Sequence, residues 1–167
     1  MTRWIALAAS LLCSACYTGP PTDVGEVGNG IPDGVIVADA ASARASGLYV
    51  TSPSDATNCC WIARTARFRT EIPARARRLR VTVDLPEAGP YDRRPVDVTI
   101  AVGAHDRKRF TGLRSGVYAL DVALARASLA RVETVAIATS YTWSPAELHV
   151  SGDSRSLSVM VRSVRAE

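Results

Sequence analysis

The feature that most constrains this chain is an alternation of period two that recurs from residue 47 onward. Ala66, Phe68, Thr70 and Ile72 alternate with Arg67, Arg69 and Glu71. Leu79, Val81, Val83 and Leu85 alternate with Arg80, Thr82 and Asp84. The pattern returns at Val96, Val98, Ile100 and Val102, then at Tyr118, Leu120, Val122 and Leu124. Val135 and Ile137 continue it, and Leu157, Val159 and Val161 close it. Successive strand residues point to opposite faces, so each run predicts a strand with one buried and one wet face. Segments such as "EIPARAR", "LPEAGPYDRRP", "VGAHDRKRF", "LRSGV" and "VSGDSR" carry Gly, Pro or Asp where a sheet must reverse. Many short strands with little helix predict an all-β fold, an antiparallel β-sandwich of jelly-roll-like form. "LARASLARVE" reads as a surface turn or crossover, not a core helix.

One parity change breaks the pattern. Trp61 and Ala63 are out of phase with Ala66 and Phe68, so a continuous strand cannot turn both sets inward. The sequence therefore predicts a bulge or short turn near Arg64 and Thr65.

The N-terminal part reads differently. A short polar start with Arg3 precedes an apolar run over residues 4–12, then Cys13, Ser14, Ala15 and Cys16. This is the layout of a secretory signal peptide over residues 1–15. The run is shorter than the roughly 20 residues a spanning helix needs. The junction resembles a bacterial lipobox, with Cys13 where Leu is usual. The resemblance implies that Cys16 carries diacylglycerol and palmitate-type acyl chains and becomes the mature N-terminus; the alternative is ordinary signal cleavage that leaves Cys16 free or paired. Acyl chains supply membrane affinity at about 0.8 kcal/mol per buried methylene. Tyr17, not Asp, follows Cys16, which by the usual sorting rule implies the outer membrane where a cell has two. The expected location is the cell envelope, and the expected partner of this end is the membrane.

Residues 16–46 are rich in Gly, Pro, Asp, Ala and Ser and read as a tether. As a Gly-rich coil, thirty residues span about 30 Å. Residues 34–39 can add one short strand to the domain that follows, expected over residues 47–167. "GNGIPD" resembles a thrombospondin type 3 calcium repeat, but it occurs once, with Asn29 in place of an acid and Val24 and Val27 interrupting the run. Calcium takes six to eight oxygens, so the segment reads as linker. No metal or cofactor is expected.

The formal charge is +4, and Arg3 leaves with the leader. Lys108 is the sole lysine. The arginines are scattered among nearly as many acids, which argues against a nucleic-acid partner. Catalysis has little to stand on. The two histidines, His105 and His149, lie far apart, no Gly-x-Ser-x-Gly occurs, and Cys59–Cys60 is not a Cys-x-x-Cys pair. No catalytic residue is assigned. Cys59 and Cys60 are either a buried and a surface thiol or a vicinal disulfide, since adjacent strand residues face opposite ways.

The order of motifs resembles a β-sandwich module appended to bacterial glycosyltransferases. The matching positions are Gly47 and Tyr49, Trp61, Trp143 with Pro145 and Glu147, and Asp153, Arg155 and Leu157. No attached transferase domain is expected, so no transferase activity is carried over. The resemblance implies a non-catalytic binding module with glycan as the ligand class. The alternative is an assembly lipoprotein that binds another envelope protein; a small hydrolase is the third reading. For sugar, the candidate platform is Tyr141 and Trp143, two apart on one strand face and near its end. Trp61 and Phe68 read either as core or as platform, and Asp153 with Arg155 either as a structural ion pair or as a hydroxyl clamp.

Overall fold

The structure is a computed structural model that describes residues 32–36, 40–49, 60–125 and 129–167. The leader, Cys13, Cys16 and Cys59 lie outside the described residues. A short helix, α1 (Ala40–Ala45), is followed by nine strands: β1 (Leu48–Tyr49), β2 (Trp61–Ile62), β3 (Thr65–Ile72), β4 (Arg78–Leu85), β5 (Val96–Val102), β6 (Asp106–Leu113), β7 (Gly116–Ala123), β8 (Arg131–Thr139) and β9 (Met160–Ala166). They form two antiparallel sheets, ordered β1-β2-β9-β4-β7 and β3-β8-β5-β6. The sheets pack into a β-sandwich whose core is made by the inward residues of both. β3 alternates without exception, with Ala66, Phe68, Thr70 and Ile72 buried and Thr65, Arg67, Arg69 and Glu71 exposed. Each fully buried Val, Leu, Ile or Phe contributes about 1.5–3 kcal/mol.

The parity change at Arg64 marks a change of sheet. β2 pairs with β9 in the first sheet and β3 with β8 in the second. Ile62 N–H donates to Val159 O at 3.0 Å, and two residues later Arg64 O accepts from Thr139 N–H at 2.9 Å. The two-residue step between them carries the chain across the sandwich.

Three segments differ from the sequence expectation. "DRKRF", expected within a hairpin tip, is strand β6, paired with β5 from Val102↔Asp106 to Val96↔Leu113. β6 is an edge with most residues exposed, so it lacks the apolar alternation that reveals half-buried strands. Its charges also discourage pairing with foreign strands. In "LARASLARVE", residues 126–128 lie outside the described set, and Arg131, Val132 and Glu133 already belong to β8.

The third difference is N-terminal: the joining strand expected over residues 34–39 is represented, among the described residues, by a single bridge, Ile36↔Arg69, and α1 packs within the stretch expected as tether. Val164 N–H donates to Asp33 O at 2.7 Å, and Ile36 N–H donates to Arg69 O at 2.8 Å. Thr70 Oγ1 donates to Gly34 O at 2.6 Å, and Arg165 Nη2 lies 2.9 Å from Asp33 Oδ2. Gly34 has φ +79°, and a Cβ there would fall on Val164 O. In α1, Ala43 is fully buried. Gly47, at φ +83°, follows the helix in the left-handed conformation that commonly ends one. Small polar and glycine residues thus serve close docking here, although their composition reads as tether.

Candidate functional site

Tyr141 and Trp143 follow β8 and share one face, as a spacing of two requires, and that face points inward. Each is only 8% exposed. Trp143 exchanges backbone hydrogen bonds with Leu157, 2.8 Å in each direction. Its indole meets Trp61 edge-on at 5.6 Å and Tyr91 edge-on at 6.2 Å. Nε1 donates to the Tyr91 hydroxyl at 2.8 Å and, more weakly, to Ser158 O at 3.3 Å. The Tyr91 hydroxyl donates onward to Ser158 O. Ser158 Oγ donates to Thr139 Oγ1 at 2.6 Å, which itself reaches Tyr141 O at 3.2 Å. Tyr141 donates its phenol proton to Arg94 O, while the Arg94 guanidinium lies 4.1 Å over its ring. Burial pushes the Tyr91 phenol far above its ordinary range. Burial also raises Tyr141, opposed by the Arg94 charge. These groups form a buried knot that ties the β8 end, the loop after β4 and the approach to β9 together. Neither ring offers an open face for stacking on a pyranose. Trp61 and Phe68 are likewise core residues.

Asp153 and Arg155 are bound to one another. Arg155 Nη2 lies 2.7 Å from Asp153 Oδ2, and Asp153 Oδ1 accepts from the Arg155 backbone N–H at 3.0 Å. The guanidinium hydrogen bond and that amide hold the Asp153 carboxyl below the usual carboxylate range, against a smaller desolvation effect. Arg155 also stacks 5.3 Å from the Tyr49 ring centroid, and Leu157 enters the core. This is the structural ion pair of the two readings.

His105 lies in the turn between β5 and β6, and His149 has φ +56° in the segment between Trp143 and Leu157. Among the described residues, no three His, Cys, Asp or Glu side chains gather as metal ligands. Asp33, the acid that ends "GNGIPD", is engaged by Arg165. Cys60 is fully buried and disulfide-bonded, so it is not a free thiol; its partner lies outside the described residues.

Strand register assembles a group that the sequence disperses. Arg67 pairs with Ala136, Ala136 with Ala101, and Ala101 with Arg107. The outward face of the second sheet therefore carries a row with arginine at each end and alanine between. Arg69, opposite Thr134, adds a second cation beside the first. Arg67, Arg69 and Arg107 are exposed, and none makes a side-chain hydrogen bond or ion pair among the described residues. Ser42 and Ser46 of the α1 turn join Ile36, Arg67, Arg69 and Thr134 around a shallow cavity of about 240 Å³. The acids at outward strand positions of this sheet are Glu71 and Asp97. Asp97 is already held by Arg109 Nη2 at 2.7 Å, a contact that lowers its pKa together with the Gly112 amide. Spacing along the chain could not show this face, because the register of four strands decides which arginines meet.

A second shallow cavity, of about 580 Å³, opens where β3 ends and β8 begins, between Ile72, Pro73, Ala130 and Val132. Leu129 beside it is 76% exposed.

Comparison with protein-family models, curated proteins and solved structures finds no match to this chain.

Proposed function

We propose that this protein is a non-catalytic lipoprotein, held at the cell envelope by acyl chains on Cys16, whose sandwich binds a glycan of the envelope. One observation carries the binding reading: an outward sheet face with three unengaged arginines, bordered by hydroxyls and free of any covering element among the described residues. A β-sheet face fixes its side chains at set spacings, which suits recognition of a repeating polymer. Such a face offers guanidinium and hydroxyl hydrogen-bond donors at set positions, which suits binding. The motif resemblance to a sandwich module that accompanies glycosyltransferases supports glycan as the ligand class. The ligand contacts move from Tyr141 and Trp143, which are buried, to this face. The test is a pull-down of isolated envelope polysaccharide by the full-length chain. Retention of polysaccharide, with an acylated Cys16 terminus by mass spectrometry, supports the reading. A folded chain that retains none contradicts it.

One observation favours a protein partner instead. Leu129 and Val132 expose apolar surface beside the larger cavity, and exposed apolar patches are common protein contacts. Co-purification of an envelope protein that is lost in Leu129→Asp, without polysaccharide retention, supports that reading.

A further inference from the structure

We infer that the glycan is acidic, and that Arg67, Arg69 and Arg107 on the outward face of the second sheet bind its carboxylate or phosphate groups. This rests on the binding reading above and adds the ligand's charge and its site. The geometry comes from the register. Arg67 and Arg69 are two residues apart on β3, so their Cα atoms lie about 7 Å apart along the strand. Arg67 and Arg107 stand at opposite ends of a four-strand row, about 14 Å apart at the usual strand spacing. The row between them is alanine, so the longer arginine side chains rise on both sides of a low floor. Ser42 and Ser46 extend the wall on the β3 side. The result is a trough. An extended chain fits a trough better than a planar bilayer does.

The chemistry agrees with the shape. A guanidinium presents a planar fork of donors that matches a carboxylate or phosphate in two parallel hydrogen bonds. These three guanidinium groups are not spent on protein acids, so binding an anion breaks no existing pair among the described residues. Thr134 lies between the arginine rims and can exchange hydrogen bonds with sugar hydroxyls. A neutral glycan would leave the cations unused.

The experiment uses the full-length chain with Cys16→Ser, so that no acyl group enters the assay. Calorimetric titrations are run with polygalacturonate, with neutral dextran, and with phosphatidylglycerol vesicles. Polygalacturonate is expected to bind and dextran not to bind. Affinity should fall from 0.1 M to 1 M salt, where the screening length drops from about 10 Å to about 3 Å. Arg67→Gln, Arg69→Gln and Arg107→Gln together should lower affinity about tenfold or more, at two- to fivefold for each exposed contact. The matched variant Arg75→Gln, Arg77→Gln and Arg93→Gln removes the same charge from turns and should retain affinity within about twofold. All six positions are exposed, so folding is expected to persist in both variants, checked by circular dichroism. Equal losses in the two variants overturn the assignment, since net charge would then suffice. Binding of vesicles without polygalacturonate overturns it in favour of a membrane-facing surface. Dextran binding that survives the first variant overturns it but keeps the glycan reading. Binding of no polymer, with a co-purifying protein, overturns both.

Discussion

Trp143→Ala separates a packed aromatic from a ligand platform. The indole is 8% exposed, touches Trp61 and Tyr91 edge-on, and donates to the Tyr91 hydroxyl at 2.8 Å. Truncating a buried Trp costs about 3–5 kcal/mol in lost transfer energy and residual cavity. Tyr91 keeps its bond to Ser158 O, so it is left without one donor but not without a partner. The cost is a large share of the roughly 5–15 kcal/mol that stabilises a domain. It corresponds to a fall of about 10–20 °C in melting temperature for a domain of this size. Thermal and urea unfolding followed by circular dichroism give the number directly. A surface Trp would change stability by no more than about 0.5 kcal/mol. A loss under about 1 kcal/mol would therefore refute the buried knot and restore Trp143 as a platform candidate. Trp143→Phe refines the result, since it keeps a ring and removes the N–H donor.

Four further outcomes follow from the geometry. Asp97, Asp121, Asp153 and Glu167 have folded pKa values lowered first by hydrogen bonds from Arg109, Arg80, Arg155 and Arg78. Their contribution is fully present above the unfolded carboxylate range near pH 4 and is lost as pH falls through the lower folded values, so urea midpoints should drop below about pH 4 and not between pH 5 and 7. Tyr91 is raised, chiefly by burial, so its contribution holds below the unfolded pKa near 10 and is lost above it; alkaline unfolding should begin later in Tyr91→Phe. Gly34→Ala, whose Cβ would fall on Val164 O, should cost at least about 2 kcal/mol, whereas Gly112→Ala meets no neighbour within 4 Å and bears only the cost of its φ of +69°; equal losses would contradict the docking of residues 32–36. Cys60 should resist alkylation in denaturant until a reductant is added, and a tryptic map of residues 45–64 then shows whether Cys59 is its partner.

The strands that were legible in the sequence are those with one wet face and one dry face. β3, β4 and β5 write their environment into every second residue, and the parity slip before Thr65 even locates the change of sheet. β6 was not legible because consecutive residues on both of its faces are exposed and so carry no alternation, unlike β3 at the other edge of the same sheet. α1 is mostly Ala and Ser, whose composition also describes a tether, whereas Val35 and Ile36 belong to the apolar run that marks residues 34–39 as a joining strand. For Tyr141 and Trp143, a spacing of two fixes a shared face but not which face. Their environment is set by Tyr91 and Ser158, which lie 52 and 15 residues from Trp143 in the chain. The arginine face is a property of register across β3, β8, β5 and β6. No local pattern records it, so the arginines read as scattered.

The central claim is that this sandwich binds an acidic polymer on the outward face of its second sheet. Amide chemical-shift mapping of the Cys16→Ser chain during titration with polygalacturonate tests it most directly. The account predicts that the largest shifts fall at Arg67, Arg69, Ala101, Arg107, Thr134 and Ala136. Largest shifts at Tyr141, Trp143 and Asp153, or at Leu129 and Val132, would contradict it, as would a spectrum that does not change.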